Sequence, residues 1–382
     1  MSLALSALPA PIFAVRNAFR EEGEDIRAVG GCVRDMLLGD TPKDFDFSTT
    51  ADPFRQLAIY VKHGIRHVQT GIKHGTITIV VDGQSFEITS LRTETDHDGR
   101  HAKVAYTRDW NEDASRRDLT FNAMYLDFDG NLHDPFDGAR DLEARRVRFV
   151  GEPEERMRED YLRILRFLRF QARFNPDGDL DEDAESAILR VGKGLKDMSA
   201  ERIWSEVSRM LMLDGGARGL SHIMRLKLAP HCGLFEGSWR EVREVATWTR
   251  NPVTLMVAML QSRTRVEKTA SNWKWSSAER DLALFLAERQ HDEAIDYKRL
   301  LADEERPLAW VEELACLHRR NAERTALSEW PVPRFPIKGQ DLLDAGMKPG
   351  PMIGNVLDHL RNEWATSGFT PTRDELLARV PA

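Results

Sequence analysis

The chain has 382 residues, with 54 Lys and Arg against 62 Asp and Glu and a formal net charge of −8 at pH 7, which is enough length for two or three domains with ordinary apolar cores. No run approaches the ~18 apolar residues of a membrane span, and Cys32, Cys232 and Cys316, odd in number and far apart, argue against a disulfide framework or a zinc cluster. The start MSLALSALPAPIFAVRNAF lacks an early basic region and runs into REEGED, unlike a signal peptide, so a cytoplasmic protein with reduced, structural cysteines is expected.

Residues 1–150 alternate short strand-like and helix-like segments. The pattern predicts a helix over 11–20, a strand over 26–29, a helix over 32–38, a strand over 45–48 and a helix over 53–61. Residues 75–81 and 85–91 then alternate in the β-branched manner of a hairpin, with Asp82-Gly83 as its turn. Between 93 and 115 there is little periodicity but many charges and histidines, which reads as a mobile loop beside the site. Arg116 opens an apolar helix reaching Met124 and Tyr125, and 147–150 is the last strand. From Pro153 the pattern is helical nearly to the end, so the fold class is an α/β head followed by an all-α neck, body and tail. The expected boundaries lie near 150 and, more softly, at Asp214-Gly-Gly216, giving 1–150, 151–215 and 216–382.

The chemistry-bearing residues begin with Gly30-Gly31 and Arg34, followed by Asp44-Phe-Asp46. A strand ending in two glycines turns tightly and exposes backbone N–H groups at a helix start, where a triphosphate can sit within reach of Arg34. Asp44 and Asp46 share a face if their segment is a strand, so both carboxylates can hold Mg²⁺. Two such ions about 3.5–4 Å apart would activate an attacking hydroxyl and neutralise a leaving pyrophosphate. Either motif alone is usually a plain turn or a solvated strand edge; their order and spacing point to nucleotidyl transfer. Glu87, in a strand placed to lie beside that of Asp46, is a third candidate, for metal or proton, against the reading of a solvated strand face. Arg116 and Arg117 suit phosphate charge, while Asp118 and Asn122, at i and i+4, suit a ribose hydroxyl. In the run from Glu159 to Arg173, Asp160 and Arg163 fall three apart on a helix, an acceptor beside a fork of donors able to pair with a base, and Arg166, Arg169 and Arg173 extend that side. These arginines also answer the acidic balance, since clustering rather than net charge decides phosphate binding. His63, His67 and His74 have no ligand-spaced companions, and His97-Asp98 is a lone pair.

The string GGCVRDMLLGDTPKDFDFS closely resembles the nucleotide- and metal-binding signature of the tRNA nucleotidyltransferase and bacterial poly(A) polymerase family, the eubacterial-type branch of the polymerase-β-like superfamily. FEITSLRTE resembles the family's next strand, RRDLTFNAM its ribose-sensing motif, EDYLRILRFLRF its base-selecting motif, AERIWSE its neck helix, and the stretch from Ile337 to Pro351 its tail. The resemblance implies a polymerase-β-like palm and an enzyme that adds or repairs the 3′-terminal CCA of tRNA from CTP and ATP, without a template. It also implies Mg²⁺ on Asp44 and Asp46, with Glu87 as third catalytic carboxylate. Gly30, Gly31 and Arg34 would hold the triphosphate, Arg116, Arg117, Asp118 and Asn122 the sugar and phosphates, and Asp160 with Arg163, beside Glu159, the base. Arg166 and Arg169 would complete the triphosphate pocket. The tRNA acceptor end is the expected macromolecular partner, with no membrane.

Three rivals follow from the same resemblance. Poly(A) polymerases of the family usually add a basic C-terminal run, which is not seen before the final LARVPA. CC-adding members shorten the loop that here keeps Asp98-Gly-Arg100, although His101-Ala102 stands where Arg-Pro is commoner after the arginine, and A-only addition stays open. A catalytically inactive RNA-binding protein or nucleotide sensor would be favoured by loss of a metal aspartate, and both are present. Between 216 and 330, Arg263, Arg265, Lys268, Trp273, Lys274 and Trp275 would grip RNA by charge and stacking, unless they form an amphipathic core with a basic edge.

Overall fold

Alternation along a few strands decides how the N-terminal half folds. Within Gln84–Ser90, Phe86 and Ile88 are buried and Glu87 is exposed, and within Thr76–Val81, Ile77 and Ile79 are buried. One face of the resulting sheet must meet apolar partners while the other carries polar groups. The computed structural model describes residues 8–97, 102–292 and 294–380 and separates into two units, Met1–Gly233 and Leu234–Ala382. The division falls at the end of a helical region, so the sheet and the helices that follow it up to Cys232 belong to one unit.

In that unit α1 (Ile12–Glu21), β1 (Ile26–Val29), α2 (Gly31–Leu37), β2 (Asp46–Thr49), α3 (Pro53–Lys62), β3 (Arg66–Gly71), β4 (Thr76–Val81) and β5 (Gln84–Ser90) follow one another. They are succeeded by β6 (Arg92–His97), β7 (Ala102–Tyr106), α4 (Trp110–Ser115), β8 (Tyr125–Leu126), β9 (Leu132–His133) and α5 (Gly138–Glu143). Seven strands form one sheet in the order β3-β4-β5-β2-β1-β8-β9. β2 and β5 run parallel with Asp46 opposite Glu87 and Phe47 opposite Ile88, whereas the other neighbours are antiparallel. Beneath the polar face, Phe47 packs on Phe86 and Phe128 at 6.0 and 6.2 Å between ring centres, Phe13 of α1 meets Phe128 at 5.2 Å, and Phe19 meets Tyr60 of α3 at 5.8 Å. α1 and α3 therefore cover the apolar face and leave the polar face open.

Four segments depart from the sequence expectation, one of them 147–150, which is no strand and makes only an isolated bridge from Phe149 to Leu119. Residues 93–115 are not a loop: β6 and β7 pair antiparallel from Arg92↔Tyr106 to His97↔Ala102, and α4 follows. Thr93, Thr95, Val104 and Tyr106 supply strand propensity that the interspersed charges mask. Residues 98–101, at the centre of the proposed loop, lie outside the described residues. The helix expected from Arg116 is instead a turn followed by a 3₁₀ turn at Thr120–Asn122. Its backbone bonds sideways, Leu119 bridging Phe149, Thr120 N donating to Arg148 O and Val150 N to Asp118 O, which outcompetes an i→i−4 ladder.

The expected single helix over 159–173 is two, α6 (Pro153–Glu159) and α7 (Leu162–Phe174), with Asp160 in extended backbone between them. α7 buries Phe167 and Phe170 against Phe149 and Phe121, each pair 5.3 Å apart, which turns its arginines toward the sheet's polar side. α8 (Glu182–Val191), α9 (Ala200–Leu211) and α10 (Gly216–Arg225) complete the unit.

The second unit is helical among its described residues, from α11 (Trp239–Val245) to α20 (Arg373–Leu377). Asn251 caps the buried helix Pro252–Leu260 by accepting from the N–H groups of Val253 and Thr254. Trp273 and Trp275 are 1% and 7% exposed, so both indoles are core and the stacking role considered for them is not available. Arg263 is paired with Glu267 and Glu288. The Gly- and Pro-punctuated stretch near 337–351 leads from one helix, Gly339–Asp344, to another, Met352–Thr366. No described helix is long and apolar enough to cross a membrane.

Gly138 shows how closely the site's scaffold is packed. It opens α5 with its N–H on Asp134 Oδ1 (2.7 Å), and a Cβ there would lie 2.3 Å from Thr120 O and 2.8 Å from Phe121 Cα. Both are backbone atoms of the turn that carries Asn122. Gly138→Ala should therefore lower the unfolding free energy by roughly 1–3 kcal/mol, the usual cost of overpacking, read as a drop in the denaturant midpoint; an unchanged midpoint would contradict this packing.

Candidate active site

The polar face of the sheet and the N-terminal part of α7 enclose a cavity of about 450 Å³. It is lined by Gly30, Gly31, Arg34, Asp46, Glu87, Arg116, Arg117, Asp118, Asn122 and Arg166 among the residues singled out from sequence. Glu159, Asp160, Arg163 and Arg169 stand outside this lining. Asp44 lies in the bend before β2 rather than in the strand, and it lines a neighbouring cavity of about 590 Å³ with Lys43, Phe45 and Gln84. Asp46 and Glu87 line both cavities, so the carboxylates form the partition between them.

Gly30 joins β1 to α2 as the residue that caps the helix, with φ +70°, a left-handed conformation that a side chain would strain. Its N–H donates to Met124 O at 3.1 Å, and its missing side chain lets the backbone border the cavity. Arg34, 6% exposed, donates from Nη1 to Asn122 Oδ1 at 2.7 Å and from Nη2 to Asp35 at 2.9 Å, and it lies 5.2 Å from the Phe170 ring centre. Burial and then the nearby Arg173 and Arg169 charges lower its pKa, with Asp35 opposing. Asp118 accepts from Leu119 N and Asn122 Nδ2 on Oδ1 (2.9 and 3.1 Å) and from Arg166 Nε on Oδ2 (2.7 Å). Burial alone would raise its pKa, but Arg166 brings it below the ordinary carboxylate value. Arg169 donates to buried Glu206 at 2.7 Å.

The carboxylate side behaves in the opposite way. Asp46 is reached by solvent at the cavity mouth, yet the surrounding protein and then the charge of Glu87 raise its pKa, Asp44 adding to the effect and Arg117 opposing it. Three neighbouring acids with one offsetting arginine are a donor set suited to a hard divalent cation. No group of three or more His, Cys, Asp or Glu among the described residues is arranged to hold an ion alone.

The candidate base readers are engaged elsewhere. Asp160 accepts from Arg202 Nη2 at 2.7 Å and from Leu162 N at 3.1 Å. Arg163 pairs with Glu159 and donates to the carbonyls of Arg116 (3.0 Å) and Arg156 (3.2 Å). Sequence reasoning missed His74, Thr76, Thr89 and Arg92, which also line the cavity, and Ser48, whose Oγ lies 3.4 Å from Arg117 Nη2. It also missed Asp113, with 0% exposure, which binds both Arg116 and Arg117. The only signal for Asp113 was its i,i+3 and i,i+4 spacing to the arginines.

Known proteins resemble this chain over nearly its whole length. A family model described as the poly A polymerase head domain matches residues 26–148, and one described as a probable RNA- and SrmB-binding site of polymerase A matches 179–232. The mitochondrial CCA tRNA nucleotidyltransferase 1 of Mus musculus is 38% identical over 96% of this chain and 89% of its own length. A CCA-adding enzyme of Ligilactobacillus salivarius is 30% identical over 91% of this chain and 90% of its own. The fold is shared with the Bacillus stearothermophilus CCA-adding enzyme solved in complex with CTP, at TM-score 0.76 and 24% identity, covering 97% of both chains. It is shared too with the Thermotoga maritima CCA-adding enzyme complexed with tRNA, at TM-score 0.69 and 19% identity, covering 98% of this chain and 96% of the other.

The raised pKa of Asp46 has a consequence for stability. A carboxyl whose folded pKa exceeds its unfolded value penalises the folded state once it ionises, that is, as the pH rises through those two values. Asp46→Asn should thus raise the thermal midpoint of the metal-free protein at neutral pH, with the gain shrinking in acid where Asp46 is protonated. Added Mg²⁺ should stabilise the parent more than the variant. A lower midpoint for Asp46→Asn in chelator would show that the repulsion is not there.

Proposed function

The chain belongs to the tRNA nucleotidyltransferase family, within the polymerase-β-like superfamily, and from that premise we propose that it completes or repairs the 3′-terminal CCA of tRNA from CTP and ATP. The observation that carries this reading is the single cavity walled by Asp46 and Glu87 on one side and by Arg34, Arg116, Arg117 and Arg166 on another. Such a cavity suits a nucleoside triphosphate, whose phosphates meet guanidinium forks while its α-phosphorus faces the carboxylates. Gly30 and Gly31 let the backbone approach the phosphates, and Asn122 and Asp118 take the sugar.

In-line attack requires the acceptor hydroxyl to approach the α-phosphorus from the side opposite the leaving pyrophosphate. The neighbouring cavity across Asp46 and Glu87 offers that approach. The acceptor O3′ bonds to the α-phosphorus, the bond to the β-phosphate's bridging oxygen breaks, and Glu87 is the nearby base for the hydroxyl proton. Mg²⁺ held by Asp44 and Asp46 would supply the charge that neutralises the phosphates and acidifies the attacking hydroxyl. Arg34, fixed by Asn122 and Asp35, and Arg117 hold the departing phosphates in place.

Base choice falls to Asp160 and Arg163, which must exchange their present partners for the base. For Asp160 this costs little, because its partner Arg202 is half-exposed and such surface pairs are worth about 0–1 kcal/mol. A bidentate base contact is worth roughly 1–3 kcal/mol, which exceeds that cost for Asp160, while Arg163 must also leave its largely buried partner Glu159.

The deciding assay offers tRNAs ending before CCA, after CC and after CCA to the purified protein with CTP, ATP or both. Addition of C, C and A followed by arrest is the expected result; unlimited A addition would mark a poly(A) polymerase, and arrest at CC or acceptance of only the CC-ended tRNA a partial enzyme. Asp44→Ala and Asp46→Ala should each abolish incorporation of both nucleotides while tRNA binding persists, and either variant retaining substantial activity would remove the metal assignment. Arg163→Ala should lower activity and relax discrimination against UTP and GTP by on the order of 1–3 kcal/mol. An equal loss with all four nucleotides would demote Arg163 to a scaffold residue.

A further inference from the structure

The most heavily engaged acid beside the cavity is one that does not line it. Asp113 sits on α4 with 0% exposure. Its Oδ1 accepts from Arg116 Nε and Nη2 (2.9 and 2.6 Å) and from the backbone N–H of Arg92 (3.2 Å). Its Oδ2 accepts from Arg117 Nε and Nη2 (3.3 and 3.0 Å) and from the Tyr125 hydroxyl (2.6 Å). Arg116 Nε also donates to Arg92 O at 3.1 Å, so the residue that starts β6 is held by Asp113 through its N–H and by Arg116 through its carbonyl.

We propose that Asp113 is a positioning residue for nucleotide binding: one buried carboxylate that aims two adjacent guanidiniums at the cavity and anchors the base of the β6–β7 hairpin to them. This rests on the reading of that cavity as the nucleotide site. Two neighbouring arginines repel each other, and Arg34 and Arg166 add further positive charge at the same cavity. An anion behind them cancels that repulsion and removes the rotational freedom of both forks before the ligand arrives, so little reorganisation is left for binding. Its ionisation is secure: burial would raise the pKa, but Arg117 and Arg116 hold it at about 2. An amide cannot replace it, because Asn presents N–H donors to one of the two arginines, donor against donor.

The test uses the full chain and measures KM for CTP, for ATP and for tRNA separately from kcat, together with calorimetric CTP binding in the absence of tRNA. Asp113→Asn should raise KM for both nucleotides, and the dissociation constant for CTP, by roughly tenfold or more, as expected for loss of hydrogen bonds to a buried charge. KM for tRNA should change by less than about twofold, since the deficit is confined to the nucleotide. In combination with Arg116→Lys and Arg117→Lys together, adding Asp113→Asn should make little further difference, because Asp113 acts through those two arginines. Removing a buried ion-pair partner threatens folding, so Tyr125→Phe, which deletes one donor and leaves the charges, is measured in parallel. It should raise nucleotide KM by about two- to fivefold with an intact fold. Unchanged nucleotide KM in a folded Asp113→Asn or in Tyr125→Phe, or an equal rise for tRNA, would overturn the proposal. If the parent chain failed to add nucleotides to tRNA, the functional reading would fall instead, while CTP binding would still report on Asp113.

Discussion

The parallel pairing of β2 with β5 is the constraint on which the site depends, because it sets Asp46 directly opposite Glu87. Like charges across adjacent strands destabilise a sheet. The pairing survives because the same register places Phe47 opposite Ile88 on the buried face. There Phe47, Ile77, Ile79, Phe86 and Ile88 are each at most 4% exposed, and burying each side chain is worth about 1.5–3 kcal/mol. That outweighs one repulsive pair on the solvent-reached face. Function and stability are thus opposed on alternate residues of the same strands.

The rest of the unit sets positive charge against that pair in a controlled way. Six arginines at or beside the cavity have acids behind them: Arg116 and Arg117 share Asp113, Arg166 holds Asp118, Arg169 holds Glu206, and Arg34 and Arg173 share Asp35. This reconciles a net charge of −8 with phosphate chemistry, since part of the acidic content is the counter-charge that orders the arginines. Buried pairs of this kind add little net stability; what they contribute is geometry fixed before the ligand binds.

What was legible in the sequence was what is locally determined. Alternation in β4 and β5, the Asp82-Gly83 turn and the glycines at the end of β1 each depend on a few adjacent residues, and each was found where the pattern placed it. What was not legible depended on distant partners. The turn at 116–122 takes its shape from Arg148 to Val150, and its apolar run reads as a helix only in isolation. Trp273 and Trp275, flanking a lysine, look alike as an RNA platform or as core until their burial is known. Asp113 was hidden for another reason: its spacing to Arg116 and Arg117 is that of an ordinary surface ion pair, and only zero exposure distinguishes it.

The break between α6 and α7 sets the direction of Arg163. Tyr161 occupies it with its ring filling the space above Gly194, where a Cβ would come within 2.2 Å of the ring, while Asp160 stays extended and α7 restarts at Leu162. The restart aims Arg163 back at the carbonyl of Arg116, and the side chain of Arg116 is itself held by Asp113 and Arg92 O. One backbone position therefore joins the proposed base reader to the arginines proposed for the phosphates. A shift of Arg163 toward a base would break its hydrogen bond to the Arg116 carbonyl.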